Sequence, residues 1–425
     1  MPIIGSSGLY SPWWYRSVLD ESRPLRGADP FAGAVASPVA LLHRDALDAN
    51  ITAMQEWCDK RNVRLAPHGK TTMAPRLYRR QLTAGAWGIT VASPAQARIA
   101  LKAGAPRILI ANEVTDLAGI RWLGAVRRDY PEVGLFCYVD GLDGVALLEN
   151  GLAETLPCGA RLDVLIELGT AGGRAGARDE SAALAVGRAL AGSARLRLAG
   201  VAGYAGIPGG GADAAGTDAV QQFCRRLRRL AGTLRGRGLI EETPGRPMVL
   251  TAGGSIFFDD VVAALTEPPG GPGDLAGPPP EIVLRSGCYV THDHGLYHRV
   301  TPAARGRDGP GLKPALEVWG RVLSRPETTR AIVDVGRRDV SYDQELPYAM
   351  WRRPAAGGPA SDLTATVVAL NDQHAFLDLP DEEALTVGEW VGFGISHPCA
   401  TVEKWNVLLL VDAAGRIVEA MDTFF

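Results

Sequence analysis

No stretch of this chain approaches the ~18 uninterrupted apolar residues of a membrane span, so a helical membrane anchor is not expected. Neither sign of charge predominates. The 44 lysines and arginines against 47 aspartates and glutamates leave a formal net charge of −3, and no dense basic stripe is interleaved with aromatics. That argues against nucleic acid and anionic membrane as principal partners. The densest basic run, Arg225-Arg226 with Arg228-Arg229, reads as a solvated helix face. Residues 1–16 lack a basic start followed by an apolar stretch and a cleavage site, so secretion is not expected. Cysteine is scarce: six, at positions 58, 137, 158, 224, 288 and 399, with no paired framework, which reads as reduced thiols in a cytoplasmic protein.

With 425 residues the chain exceeds what one hydrophobic core usually supports, and two domains are expected. After a helical pattern in Ala46, Leu47, Ile51, Met54 and Trp57, short apolar runs recur at 63–66, 88–93, 107–111, 134–139, 162–168, 196–202, 248–252 and 281–284, most of them preceded by Ala/Leu-rich helical stretches. Continuously apolar strands alternating with helices imply a parallel sheet covered on both faces. Residues 37–300 therefore read as a (β/α)8 TIM-type barrel. A doubly wound open sheet is the alternative, but the chain has no Gly-x-Gly-x-x-Gly turn after its first strand to recommend it. The stretches 206–216 and 266–280 are rich in glycine and proline and read as loops within the barrel. Beyond residue 303 the pattern changes to alternating strands at 316–319, 331–335, 364–370 and 405–411, a smaller C-terminal β domain of residues 301–425 with 1–36 packed on it.

In a barrel the chemistry sits at the C-terminal ends of the strands, and unusual residues fall there. Lys70 follows the first strand in Pro67-His68-Gly69-Lys70, where partial burial among apolar walls would lower an amine's pKa and keep it nucleophilic; a solvated surface lysine is the plain alternative. Gly253-Gly254-Ser255, just before a helix starting near Phe258, offers uncovered backbone N–H groups to a phosphate, and Gly287-Cys288 after the eighth strand offers a second set; each could also be only a tight turn. Arg174 could bind a phenolate or carboxylate, or form a structural ion pair. Tyr204 could lie against a planar cofactor or pack at the barrel rim. Near the C-terminus, His397-Pro398-Cys399 places a nitrogen and a sulfur ligand two residues apart on one face of an expected strand, a half-site for zinc or else a buried unpaired couple. His374 is a further polar candidate for that site, and His292, His294 and His298 mimic a metal cluster but rank below it.

As an ordered set, Pro67-His68-Gly69-Lys70-Thr71, Gly172-Gly173-Arg174, Gly203-Tyr204-Ala205-Gly206, Ala252-Gly253-Gly254-Ser255, Arg285-Ser286-Gly287-Cys288-Tyr289, Asp372-Gln373-His374 and His397-Pro398-Cys399 resemble the zinc-dependent D-serine dehydratase family, relatives of D-threonine aldolases and 3-hydroxyaspartate dehydratases with the alanine-racemase-like fold. The resemblance runs from about residue 37 to the end. It implies pyridoxal 5'-phosphate held covalently by Lys70, its phosphate on the backbones of Gly253, Gly254, Ser255, Gly287 and Cys288, further contacts from His68, Arg174 and Tyr204, and Zn2+ on His397 and Cys399. It also implies a homodimer and a small D-3-hydroxy amino acid as substrate, with elimination to a 2-oxo acid and ammonia favoured over retro-aldol cleavage because aldolases of the group carry a carboxylate where Cys399 stands. A racemase or a non-catalytic cofactor-binding protein is a more distant alternative. Two departures bear on the substrate: Thr72 stands where a histidine is frequent, and Gln373-His374 replaces a Glu-His pair.

Overall fold

The structure is a computed structural model that describes residues 25–206, 212–268, 275 and 277–425. The chain divides into two compact units, one of residues 50–289 with 299–312, the other of 290–298 and 313–425 with the described part of 1–49. The loop stretches expected at 206–216 and 266–280 lie partly outside the described residues, as does 1–24 of the segment expected to pack on the β domain.

All eight expected barrel strands form and are parallel: Arg64–Leu65, Ile89–Val91, Arg107–Glu113, Gly134–Val139, Leu162–Leu168, Leu196–Tyr204, Val249–Gly253 and Glu281–Leu284. From the third onward each strand pairs with its predecessor, and the last pairs with the first. The ring closes between the first and second strands, where Trp87 N–H donates to Leu65 O (2.7 Å) and Thr90 N–H to Pro67 O (2.9 Å). Every residue of Leu162–Leu168 is buried, as expected for a strand with side chains on one face in the barrel lumen and on the other under helices. Leu109, Phe136, Leu165, Val249 and Val283 fill the interior with Trp87, whose ring lies 5.6 Å from that of Phe136. The helices begin where the sequence offers caps: Asp116, Asp179 and Asp213 accept from the N–H groups of Gly119, Ala182 and Gly216 at 2.6–2.8 Å. Each such cap contributes about 1 kcal/mol.

The basic run differs from its expected role. It lies on the helix Ala214–Gly236, but Arg228 is only 4% exposed and donates to Leu265 O (2.6 Å), while Arg225 pairs with Glu267 at 2.8 Å. Of the four arginines only Arg229 is exposed, because the helix packs along the barrel and its flanks are covered.

The second unit is a mostly antiparallel sheet with strand order Ser361–Asp362, Tyr348–Arg353, Trp390–Gly394, Leu316–Glu327, Val39–His43, Val407–Val411, Ile417–Asp422. The long strand Leu316–Glu327 also pairs with Arg330–Val333, which continues through Ala375–Asp378 to Thr366–Leu370. Val39–His43 lies inside the span 37–300 assigned to the barrel by sequence, yet it pairs antiparallel with Leu316–Glu327 and parallel with Val407–Val411. A short apolar strand followed by a helix looks the same in either setting; its partners decide. Phe31 and Val35 pack in the same core, with the Phe31 ring edge-on to Trp319 (4.9 Å) and Trp390 (5.2 Å).

Candidate active site

The candidate residues of the barrel unit form a chain of contacts around its C-terminal mouth. Lys70 sits in a tight turn, Gly69–Thr71, just beyond the first strand. Contrary to the expectation of partial burial among apolar walls, Lys70 is exposed, being the one exposed residue of this turn. Gly287 presses on this turn: a Cβ there would come 2.5 Å from Thr71 Oγ1 and 2.8 Å from His68 O. The neighbouring Ser286 O accepts from His68 N–H (3.1 Å), and Ser286 Oγ donates to Gly254 O (3.0 Å). Two loops expected to hold phosphate are thereby tied to each other and to the lysine turn.

Gly254 has φ +154°, a conformation glycine adopts freely, and it is half-buried with Ser255, ahead of the helix Phe258–Leu265. A Cβ at Gly253 would crowd the Arg285 guanidinium at 3.2 Å. Gly253 pairs in register with Tyr204, which is 45% exposed and carries the Arg174 guanidinium 4.9 Å from its ring centroid. Arg174 is largely exposed and only 4.0 Å from Glu167 Oε1, so neither plain alternative for these residues, a packed rim tyrosine or a tight structural ion pair, describes them. Cys288 is buried at the start of a short helical turn.

Inside the mouth lies a polar layer that the sequence reading did not single out. Arg285 is 4% exposed and donates through Nε to Thr251 Oγ1 (2.9 Å) and through Nη2 to Gly203 O (2.5 Å). Glu113 and Glu167, at the C-terminal ends of the strands Arg107–Glu113 and Leu162–Leu168, have their carboxyls hydrogen-bonded to each other. Burial raises the pKa of both; the Glu167 charge pushes Glu113 up further, while Arg285 and Arg174 draw Glu167 back. His68 is held neutral, its pKa well below the usual range through burial and then the charges of Lys70, Arg285 and Arg174. The signal of this layer in the sequence is faint: Glu113 follows the apolar run 107–111, and Glu167 shares the run 162–168 with a second acid, Asp163.

Three buried polar atoms at these strand ends have no hydrogen-bond partner: His68 Nδ1, Glu113 Oε1 and Tyr138 Oη. Unsatisfied buried polar groups cost about 1–3 kcal/mol each, so their clustering marks a place where a polar ligand belongs. An amine, two glycine-containing loops, an arginine and a half-exposed tyrosine beside them fit pyridoxal phosphate.

In the β unit, His397 and Cys399 are not on a strand. Pro398–Val402 is a short helix with His397 as its extended N-cap residue, and Pro398 occupies the first helical position that proline favours. The two side chains still meet, as His397 is hydrogen-bonded to the Cys399 thiol. Its Nδ1 lies 2.7 Å from Asp343 Oδ2, and its backbone N–H donates to Ser341 Oγ (3.1 Å). Burial opposes charge on this imidazole, but Cys399 and Asp343 outweigh it and raise its pKa to about 9. A carboxylate on one ring nitrogen is the usual support for a histidine that binds metal through the other. Among the described residues no three His, Cys, Asp or Glu side chains converge on a metal position. The donor set fits a zinc ion only with other ligands completing it. His374 is exposed in the turn before Ala375–Asp378. His292 and His294 are largely buried, with pKa values pushed down to about 3 and about 4 by burial and by neighbouring histidines.

No helix of the described residues is long and apolar enough to cross a membrane. Residues 42–245 match the alanine racemase N-terminal domain family, and residues 315–411 match the serine dehydratase domain family. A D-threo-3-hydroxyaspartate dehydratase of Delftia sp. (strain HT23) is 33% identical over 406 residues, covering 90% of this chain and 95% of the relative. A D-threonine aldolase of Arthrobacter sp. is 27% identical over 405 residues, covering 91% and 92%. The crystal structure of D-threonine aldolase from Filomicrobium marinum superposes with a TM-score of 0.76 at 26% identity, over 94% of this chain and 97% of that one. The ordered loops at the barrel mouth and these full-length likenesses agree: the chain belongs to the D-serine dehydratase-like family of pyridoxal phosphate enzymes, with the alanine-racemase-like fold, among the relatives of D-threonine aldolases and 3-hydroxyaspartate dehydratases.

Proposed function

We propose that the chain is a zinc-assisted carbon–oxygen lyase that converts a D-3-hydroxy amino acid to a 2-oxo acid and ammonia. The observation that carries the reading is the His397–Cys399 couple, a nitrogen and a sulfur donor in contact, with Asp343 on the histidine's other side. A thiolate is a soft, strongly binding zinc ligand, and a relative named as a dehydratase aligns over 90% of the chain.

Lys70 is the residue to hold the cofactor covalently, and its exposed Nζ, once released, is the base for the substrate's Cα proton. The backbone N–H groups of Gly253, Gly254, Ser255, Gly287 and Cys288 are the candidates to bind the phosphate. Arg174 and Tyr204, which lie against each other, are the candidates that would contact the cofactor ring, and the neutral His68 would add no charge there. Bound pyridoxal phosphate supplies the electron sink that stabilises charge left at Cα. Zinc on His397 and Cys399 supplies Lewis acidity for a hydroxyl that is otherwise a poor leaving group. A cytoplasmic homodimer completes the proposal.

The second reading is retro-aldol cleavage to glycine and an aldehyde, favoured by the aldolase relative and by the aldolase structure at TM-score 0.76. Incubation of the protein with pyridoxal phosphate and zinc against a panel of D- and L-3-hydroxy amino acids, scoring 2-oxo acid, ammonia and glycine together, separates the two. Elimination predicts 2-oxo acid with equimolar ammonia from D-substrates. Glycine without 2-oxo acid replaces it with the aldol reading, and absence of both products overturns both.

A further inference from the structure

Glu113 ends the strand Arg107–Glu113, and Glu167 is the penultimate residue of Leu162–Leu168. The strand Gly134–Val139 runs between them, and its Tyr138 pairs with Glu113 on one side and Leu165 on the other. The two carboxyls meet across this strand in a hydrogen bond. Two ionised carboxylates have no hydrogen to share, so such a contact requires a proton on one of them. The charges around the pair agree. Facing it are the acid Asp140, which accepts from Gly176 N–H at 3.0 Å, the buried Cys137 and Tyr138, and the cations Arg174 and Arg285; the neutral His68 feels both arginines and Lys70. With one proton on the pair, Glu167 remains the anion on which Arg285 and Arg174 draw. Without it, two like charges would stand in contact, one of them on Glu167, which is 3% exposed, and that is costly.

We propose that Glu113 and Glu167 share a single proton across the barrel mouth, and that Glu113, by carrying it, positions Arg174 for the cofactor. Protonated Glu113 leaves Glu167 as one anion already drawn on by Arg285, and Arg174 rests 4.0 Å from it over Tyr204 rather than in a short bidentate pair. The guanidinium therefore remains available to a ligand ring. Loss of the proton adds a second anion and draws Arg174 inward, away from the ring. Glu113 is a positioning residue in this account. The proton-sharing stands on the barrel alone; the link to the cofactor rests on the proposed pyridoxal phosphate function.

Two measurements test the parts separately. Infrared spectroscopy of cofactor-free protein carrying 13C-labelled glutamate reads the proton directly. A buried protonated glutamate band is expected at pH 7 that disappears at higher pH and is missing at pH 7 in Glu113→Gln; absence of that band in the unmodified protein overturns proton-sharing, with no variant needed. The second is the affinity of the cofactor-free protein for pyridoxal phosphate, followed by tryptophan fluorescence as pH rises through the infrared transition. Affinity is expected to weaken about tenfold across it, the change that accompanies a ligand moving the midpoint of the infrared transition by about one pH unit. Glu113→Gln, which mimics the protonated form, should hold the low-pH affinity throughout, whereas an affinity that falls as steeply in Glu113→Gln as in the unmodified protein overturns the positioning role. Should no pyridoxal phosphate bind under any condition, the proposed function fails and with it the link to Arg174, while the infrared result still decides whether the proton is shared.

Discussion

Replacing Gly287 by alanine tests whether the lysine turn is placed by contact with the loop after the eighth strand. The added Cβ would stand 2.5 Å from Thr71 Oγ1, 2.8 Å from His68 O and 2.9 Å from His68 Cβ. Thr71 can rotate, but His68 O is backbone and accepts from Thr71 N–H, so the turn carrying Lys70 must move by roughly half an ångström to restore ordinary contact. Overpacking of this kind costs about 1–3 kcal/mol. Each kcal/mol lowers Tm by about 2–4 °C for a unit of 150–250 residues. Displacement of a reacting group on the scale of an ångström can cost about a hundredfold in rate, so activity is expected to fall more than stability. Calorimetry, the absorbance of bound cofactor and steady-state turnover give the three readings. Gly141→Ala is the control, since a Cβ there meets nothing within 4 Å. Adding Thr71→Ala to Gly287→Ala removes the nearest clash but not the backbone one and should restore part of the Tm. A Gly287→Ala protein with unchanged Tm, cofactor content and turnover refutes the argument.

Lys70→Ala should abolish the near-visible absorbance of covalently held cofactor, and a band that survives reduction and denaturation in the variant assigns the attachment elsewhere. At the opposite end of the barrel, Arg197 grips Asp163 through paired contacts of 2.7 and 2.8 Å, both residues 8% exposed. Asp163→Ala leaves the arginine buried without its counter-charge and should cost about 3–5 kcal/mol in chemical denaturation, with a loss below about 1 kcal/mol contradicting the burial. In the β unit, His43 Nε2 lies 3.0 Å from Glu317 Oε1. Burial opposes both charges, yet the contact raises the His43 pKa, and His43 together with the Trp319 indole lowers that of Glu317. The stabilisation is therefore complete between about pH 4.5 and pH 6.5, is lost at higher pH as His43 deprotonates, and is lost at lower pH as Glu317 protonates. The stability difference between the unmodified protein and Glu317→Gln should be largest in that window, and a difference that grows above pH 8 would show the wrong sign.

The barrel was legible because its strands are short, continuously apolar and spaced by helices, a pattern with few other solutions. The glycine loops were legible because their residues sit directly at the ends of those strands: Gly287 meets the backbone of the lysine turn and Gly253 the Arg285 guanidinium, and a glycine at a strand end needs no long-range knowledge to be noticed. Val39–His43 was misplaced because strand membership depends on partners at 316–319 and 409–411, which periodicity does not reveal. The strand expected through His397 and Cys399 overlooked Pro398, whose place just inside a helix was readable from its own chemistry. Asp343 carried no signal at all, lying 54 residues before the histidine it touches. Glu113 and Glu167 were visible as acids in largely apolar strands, but their meeting across Gly134–Val139 emerges only once the sheet order is known. Lys70 is exposed between the buried Gly69 and Thr71 of a three-residue turn, a difference finer than any pattern in the sequence.

The place of Val39–His43 in the sheet also sets an order of events during synthesis. This strand leaves the ribosome before either of its neighbours, one of which begins at Leu316 while the other ends at Val411. At about 5–20 residues per second, roughly twenty to seventy seconds separate the strand from its second partner. Through that interval the barrel strands can pair with one another as they emerge, while Val39–His43 waits with both edges bare. The nascent chain thus carries an apolar, hydrogen-bond-hungry segment throughout that interval, which is the kind of segment chaperones hold and crowded inclusion bodies recruit.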